Sequence, residues 1–122
     1  MKFEMPTLRA LSFPDYSVRS FACDPAARHA AVSMEGAWLA DGEGREVGPG
    51  QLLIVRWTAL QVRTFDRRGN YWSSPPAGEQ LEDVCEAEFK SDQVVLRGFS
   101  KASGLWTEFT FSAPSAYYET DV

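Results

Sequence analysis

The chain has 122 residues and a formal net charge of −5; 44% of its residues are apolar and 13% aromatic. That composition supplies one hydrophobic core without disulfides or metal, and it excludes a disordered chain. No apolar run approaches the ~18 residues of a membrane helix, and the acidic balance argues against direct nucleic-acid binding, because phosphate backbones repel it.

The opening Met1-Lys2-Phe3-Glu4-Met5-Pro6 leads into no apolar stretch of signal-peptide length, so a cytoplasmic location with reduced Cys23 and Cys85 is expected. Residues 7–13 and 17–23 are predicted as short extended segments, broken by Pro14-Asp15. Over residues 28–40 one parity carries Ala30, Val32, Met34, Gly36 and Trp38, and the other His29, Ala31, Ser33 and Glu35. This pattern predicts one half-buried strand with a wet face. Residues 41–50 hold Gly42, Gly44, Gly48, Pro49 and Gly50 and read as a long hairpin loop.

Over residues 51–65 the apolar phase changes: Leu53, Val55 and Trp57 are odd, whereas Leu60, Val62 and Thr64 are even. No strand keeps one buried face through that change, so a bulge near Thr58-Ala59 or a corner between two sheets is expected. Asp66 to Asn70 forms a polar turn, and Tyr71-Trp72 is placed in a loop that continues into Ser73-Ser74-Pro75-Pro76. A helical turn is predicted around residues 76–82, leading into a strand at 84–89. Strands at 93–99 and 105–111 follow, and a frayed tail from about residue 114. The sum is one all-β domain over residues 1–122, an antiparallel β-sandwich or flattened barrel of about 6–8 strands with at most one short helix.

Motifs that carry chemistry are weak. Gly98-Phe99-Ser100-Lys101-Ala102 approaches a nucleophile elbow, but the next segment reads as a strand and the single His lies upstream at position 29, so a tight hairpin is expected. Cys85 and His29 each sit inside a strand pattern with no orienting third group. The glycine-rich stretch lacks a P-loop ending, and its acids Asp41, Glu43 and Glu46 lack the spacing of a calcium loop. No cofactor, metal site or catalytic residue is predicted.

The acid-dense segment Glu79, Glu82, Asp83, Glu86, Glu88 and Asp92 contains a single base, Lys90. A solvated edge explains such a run, but so does a surface that steers and docks a basic partner. Tyr71 and Trp72 either cover an open end of the sandwich or anchor a partner, and Arg63, Arg67 and Arg68 lie close to them. The expected function is a non-enzymatic protein-binding module that docks a basic protein partner through Glu79, Glu82, Asp83, Glu86, Glu88, Asp92, Tyr71 and Trp72. An immunity or inhibitor protein acting on a toxin or nuclease is its concrete form, and a homodimer is compatible with it. The alternatives are a ligand-binding barrel lined by Trp38, Trp57, Met34 and Phe109, or a structural subunit of a larger assembly.

Overall fold

Alternating apolar and polar residues resolve into two five-stranded antiparallel sheets that pack face to face as a sandwich, with a third sheet of three short strands. The computed structural model describes residues 1–40 and 42–121; Asp41, the first acid of the glycine-rich stretch, lies outside the described residues. In chain order the strands are β1 (Lys2–Glu4), β2 (Leu11–Ser12), β3 (Val18–Asp24), β4 (His29–Met34), β5 (Ala37–Leu39), β6 (Arg45–Val47) and β7 (Gly50–Val55). They continue with β8 (Ala59–Phe65), β9 (Tyr71–Ser73), β10 (Glu86–Lys90), β11 (Gln93–Phe99), β12 (Trp106–Ser112) and β13 (Ser115–Thr120). Short 3-10 turns occupy Thr7–Ala10 and Pro76–Gly78. The back sheet has the order β1-β13-β7-β4-β3, the front sheet β10-β11-β12-β8-β9, and the side sheet β2-β5-β6.

Register builds the core. Phe3, Tyr118, Leu52, Val32 and Phe21 stand opposite one another across the back sheet. Leu96, Phe109 and Val62 do the same across the front sheet. The two inner faces meet where the Phe21 ring lies 5.0 Å from that of Phe109. Leu11, Ala37, Leu39 and Val47 of the side sheet are buried in the same cluster. Dense aromatic and aliphatic burial of this kind is the main stabilising contribution of a sandwich.

The corner expected in residues 51–65 is present: β7 lies in the back sheet and β8 in the front sheet. Arg56 turns the chain with φ of 56°, its N–H donating to the Arg28 carbonyl, and Trp57 is buried 4.9 Å from Phe111. Before the corner, however, Leu52 and Ile54 face inward and Leu53 and Val55 outward. Leu53 and Val55 are half-buried on the outer face, flanked by Tyr117 and Ala31 and by Ser115 and His29, so both parities of β7 are apolar and the odd one misleads.

Four further expectations are corrected. Residues 28–40 are two strands in different sheets. Gly36 sits so close to the Val47 carbonyl that a Cβ would approach it to 2.9 Å, and beyond this glycine the parity inverts. Ala37 and Leu39 are therefore buried, and Trp38 stands 43% exposed on the side sheet rather than lining an interior. Residues 115–120 are no frayed tail; as β13 they run between β1 and β7, with the fully buried Tyr118 donating to the Gly48 carbonyl at 2.9 Å. Burial pushes that phenol up to about 12. Residues 7–13 are extended only at Leu11–Ser12, because the Arg9 N–H closes a turn onto the Pro6 carbonyl. Within 41–50, Arg45–Val47 is itself a strand paired with β5.

Candidate functional site

The outer face of the front sheet gathers the long polar and aromatic side chains into two parallel rows. Alternation places Arg97 and Phe99 of β11, Glu108 and Trp106 of β12, and Arg63 and Phe65 of β8 on this face. In one row Glu86, Arg97, Glu108 and Arg63 are direct cross-strand partners. In the next row, so are Phe99, Trp106, Phe65 and Tyr71.

The first row is a charge ladder centred on Glu108, whose side chain is 7% exposed. Arg63 binds Oε1 of Glu108 through both Nε and Nη2, and Arg97 Nε donates to Oε2 at 2.7 Å. Burial alone would raise this carboxyl, but the hydrogen bonds from Arg63 and Arg97 outweigh it and hold Glu108 below the ordinary carboxylate value. Arg97 also reaches Glu86 at 3.6 Å and Glu88 at 3.3 Å, so both acids belong to the ladder. Sequence reasoning missed Glu108 and Arg97 because their pairing exists only across strands.

The second row is an exposed aromatic strip. The Phe99 and Trp106 rings meet edge to face at 5.3 Å, and those of Phe65 and Tyr71 lie 5.5 Å apart. The Arg63 guanidinium stands over the Phe65 and Tyr71 rings at 5.5 and 5.1 Å, tying the strip to the ladder. Tyr71 and Phe99 are 58% and 44% exposed, and a depression of about 320 Å³ lies among Phe65, Arg67, Phe99 and Trp106. Tyr71 and Trp72 thus belong to the edge strand β9 rather than to a loop. Trp72 faces the other way, opposite the buried Thr64, and does not join the strip.

The acidic segment divides into different roles. Asp83 Oδ1 accepts the Phe99 N–H at 2.8 Å, and its backbone passes so near Gly98 that a Cβ there would lie 2.2 Å from the Asp83 carbonyl. Asp83 is therefore a positioning residue for the aromatic strip. Glu82 is exposed beside it, its own N–H donating to the Phe99 carbonyl. Glu79 encloses one carboxylate oxygen without a hydrogen-bond partner. Asp92 is exposed at the β10–β11 turn, away from the aromatic row. The segment is not one continuous patch.

Other sequence motifs resolve as structural features. Ser100 is buried, and its Oγ accepts the N–H groups of Ala102 and Ser103, each at 3.2 Å, in a tight turn. His29 is on the back sheet and Cys85 beside the front sheet, so the two form no pair. Burial pushes the Cys23 thiol up to about 11, with Asp24 adding to it; burial and then Asp83 raise Cys85. Both shifts run against a nucleophilic thiolate. Among the described residues no group of three or more His, Cys, Asp or Glu is placed to hold a metal ion, and no helix is long and apolar enough to cross a membrane. No protein-family model matches the chain, and searches of curated proteins and of solved structures find no match.

Proposed function

We propose that the chain is a non-enzymatic binding module that docks a basic protein partner on the outer face of the front sheet. The observation that carries this reading is the exposed aromatic strip Phe99–Trp106–Phe65–Tyr71, held rigid by the ladder beneath Arg97 and Arg63. Exposed aromatics on a rigid sheet lose little entropy on contact and supply hot-spot area. Lysine and arginine side chains of a partner gain cation–π contact over Phe99 and Trp106, the rings not already under Arg63, and the exposed Glu82 lies beside Phe99. An inhibitor or immunity role, in which the aromatic strip occludes a cleft of the partner, is the specific form of this proposal.

The test is capture from the native host followed by kinetics with the captured protein. Tyr71→Ala combined with Phe99→Ala should raise the dissociation rate at least ~20-fold, the scale of a hot spot. Glu82→Lys should slow association several-fold, with the effect fading as salt rises. Trp38→Ala, remote on the side sheet, should leave both rates alone. Undiminished binding by the double aromatic variant sinks this reading.

A further inference from the structure

A cleft that shares no residue with the aromatic strip carries a charge opposite to that of the whole chain. It encloses about 600 Å³ between β1, the turn after it, the β7–β8 corner and the start of β13. Lys2, Arg9 and Arg56 bring three cations to its wall, against the single carboxylate of Glu4. Glu4 engages Lys2 at 3.5 Å, which leaves the two guanidiniums as the net charge. Arg9 spends its Nε on the Phe89 carbonyl at 2.9 Å, and this bond orients the side chain while its terminal nitrogens stay available. Arg56 makes no ion pair and no side-chain hydrogen bond among the described residues.

Two features make this more than chance surface charge. The cations come from two separate parts of the chain, the first nine residues and the β7–β8 corner, and a molecule with a net charge of −5 has placed them around one concavity. Arg56, moreover, occupies the left-handed region at φ 56°, where glycine or asparagine is favoured. Arg28 at φ 52° and Ala113 at φ 50° share this conformation, and what sets Arg56 apart from them is that it lines the cleft. The remaining wall is mixed: the hydroxyls of Ser91 and Ser115 can donate, and Tyr117, whose ring carries Lys2 Nζ at 4.2 Å, offers an aromatic face beside Pro114.

We infer that this cleft binds a small organic phosphate monoester. A guanidinium matches phosphate oxygens in bidentate geometry, the ammonium and the hydroxyls complete the donor set, and Tyr117 packs the organic group. The volume lies within the range of small-molecule sites. This inference stands independently of the partner reading, since it shares none of its residues.

The test uses the full chain and phenyl phosphate as probe, followed by amide chemical shifts and calorimetry. Saturable binding is expected, with shifts confined to Arg56, Ser115, Tyr117 and their neighbours, and inorganic phosphate should bind at least ~3-fold more weakly. R56G removes the guanidinium and relaxes the left-handed strain, so affinity should fall at least ~10-fold while the melting temperature holds or rises. R45Q, an exposed charge change on β6, should bind like the parent. Absence of saturation at ~5 mM phenyl phosphate, or an equal loss in R45Q, overturns the site. Equal affinity for inorganic phosphate overturns its assignment to an organic ester.

Discussion

The outer faces of the two large sheets obey the same alternation and look nothing alike. On the back sheet Ala22, Ala31, Leu53, Tyr117 and Glu4 stand in one cross-strand row, with Ser20, Ser33, Gln51, Glu119 and Lys2 in the next. Its side-chain links are sparse: the Gln51 amide donates to the Ser33 hydroxyl at 3.3 Å, and Lys2 meets Glu4 at the edge. The front sheet instead carries a nearly buried carboxylate clamped by two arginines, beside a strip of rings. Desolvating a carboxylate costs several kcal/mol unless its partners are well placed. The comparison teaches that alternation decides only which residues face out. The length and chemistry of those residues decide whether a face is a covering or a built surface.

Removing what both faces share should have the largest effect. Trp57→Ala empties the corner joining the sheets and should cost about 3–5 kcal/mol in urea denaturation, as for other large buried aromatics. A cost below ~1 kcal/mol would mean that the outer faces, not the common core, hold the sandwich together.

Next comes the ladder itself. Glu108→Gln leaves Arg63 and Arg97 facing each other without their carboxylate, at a cost of about 2–3 kcal/mol. That is less than for a fully buried pair, because both guanidiniums keep some contact with water. The pH dependence has a definite sign. Glu108 titrates lower in the folded state than its unfolded value near ~4.3, so its contribution is complete above that value and is lost as pH falls through the lower folded one. The glutamine variant should lose that part of the acid-induced drop in stability; an identical acid limb in parent and variant would remove Glu108 as its source.

The edge is a smaller lever. Tyr71→Ala should cost about 0.5–1 kcal/mol, the scale of one cross-strand aromatic pair. On the back face, Gln51→Ala should cost about 0.5 kcal/mol, one ordinary hydrogen bond. If Gln51→Ala cost as much as Glu108→Gln, the contrast between the faces would collapse.

Much of the fold was legible because alternation is a local signal. The strand at residues 93–99 could be read from neighbours in sequence; the corner at Arg56–Trp57 is present too, but the odd parity that pointed to it was the outward one, since Leu52 and Ile54 face the core. The candidate site was not legible. Phe65, Tyr71, Phe99 and Trp106 form a row only through register, which no stretch of sequence displays. The acidic run gave a true composition and a false continuity, because Asp83 turns inward to hold Phe99 while Glu86 and Glu88 lean onto Arg97. Trp38 was misplaced by a single residue's geometry, the parity change at Gly36. Residues 115–120 alternate as well as any strand, but Pro114 and the acids beyond Tyr118 resemble a solvated tail.

The position of β13 also bears on how the molecule is made. During synthesis β3, β4 and β7 can pair as soon as they emerge, since they are neighbours in the back sheet and only the short β5–β6 hairpin separates β4 from β7 in the chain. β1 emerges first of all and has nothing to pair with until residues 115–120 arrive to bridge it to β7. The first strand is idle for almost the whole of translation, and one edge of β7 stays open from residue 55 until residue 115. Non-local pairing of this kind slows folding and exposes sticky edges to other nascent chains. A chain truncated just before Ser115 would hold all five front-sheet strands against a back sheet that cannot close, and that species is the one on which chaperones would be expected to act.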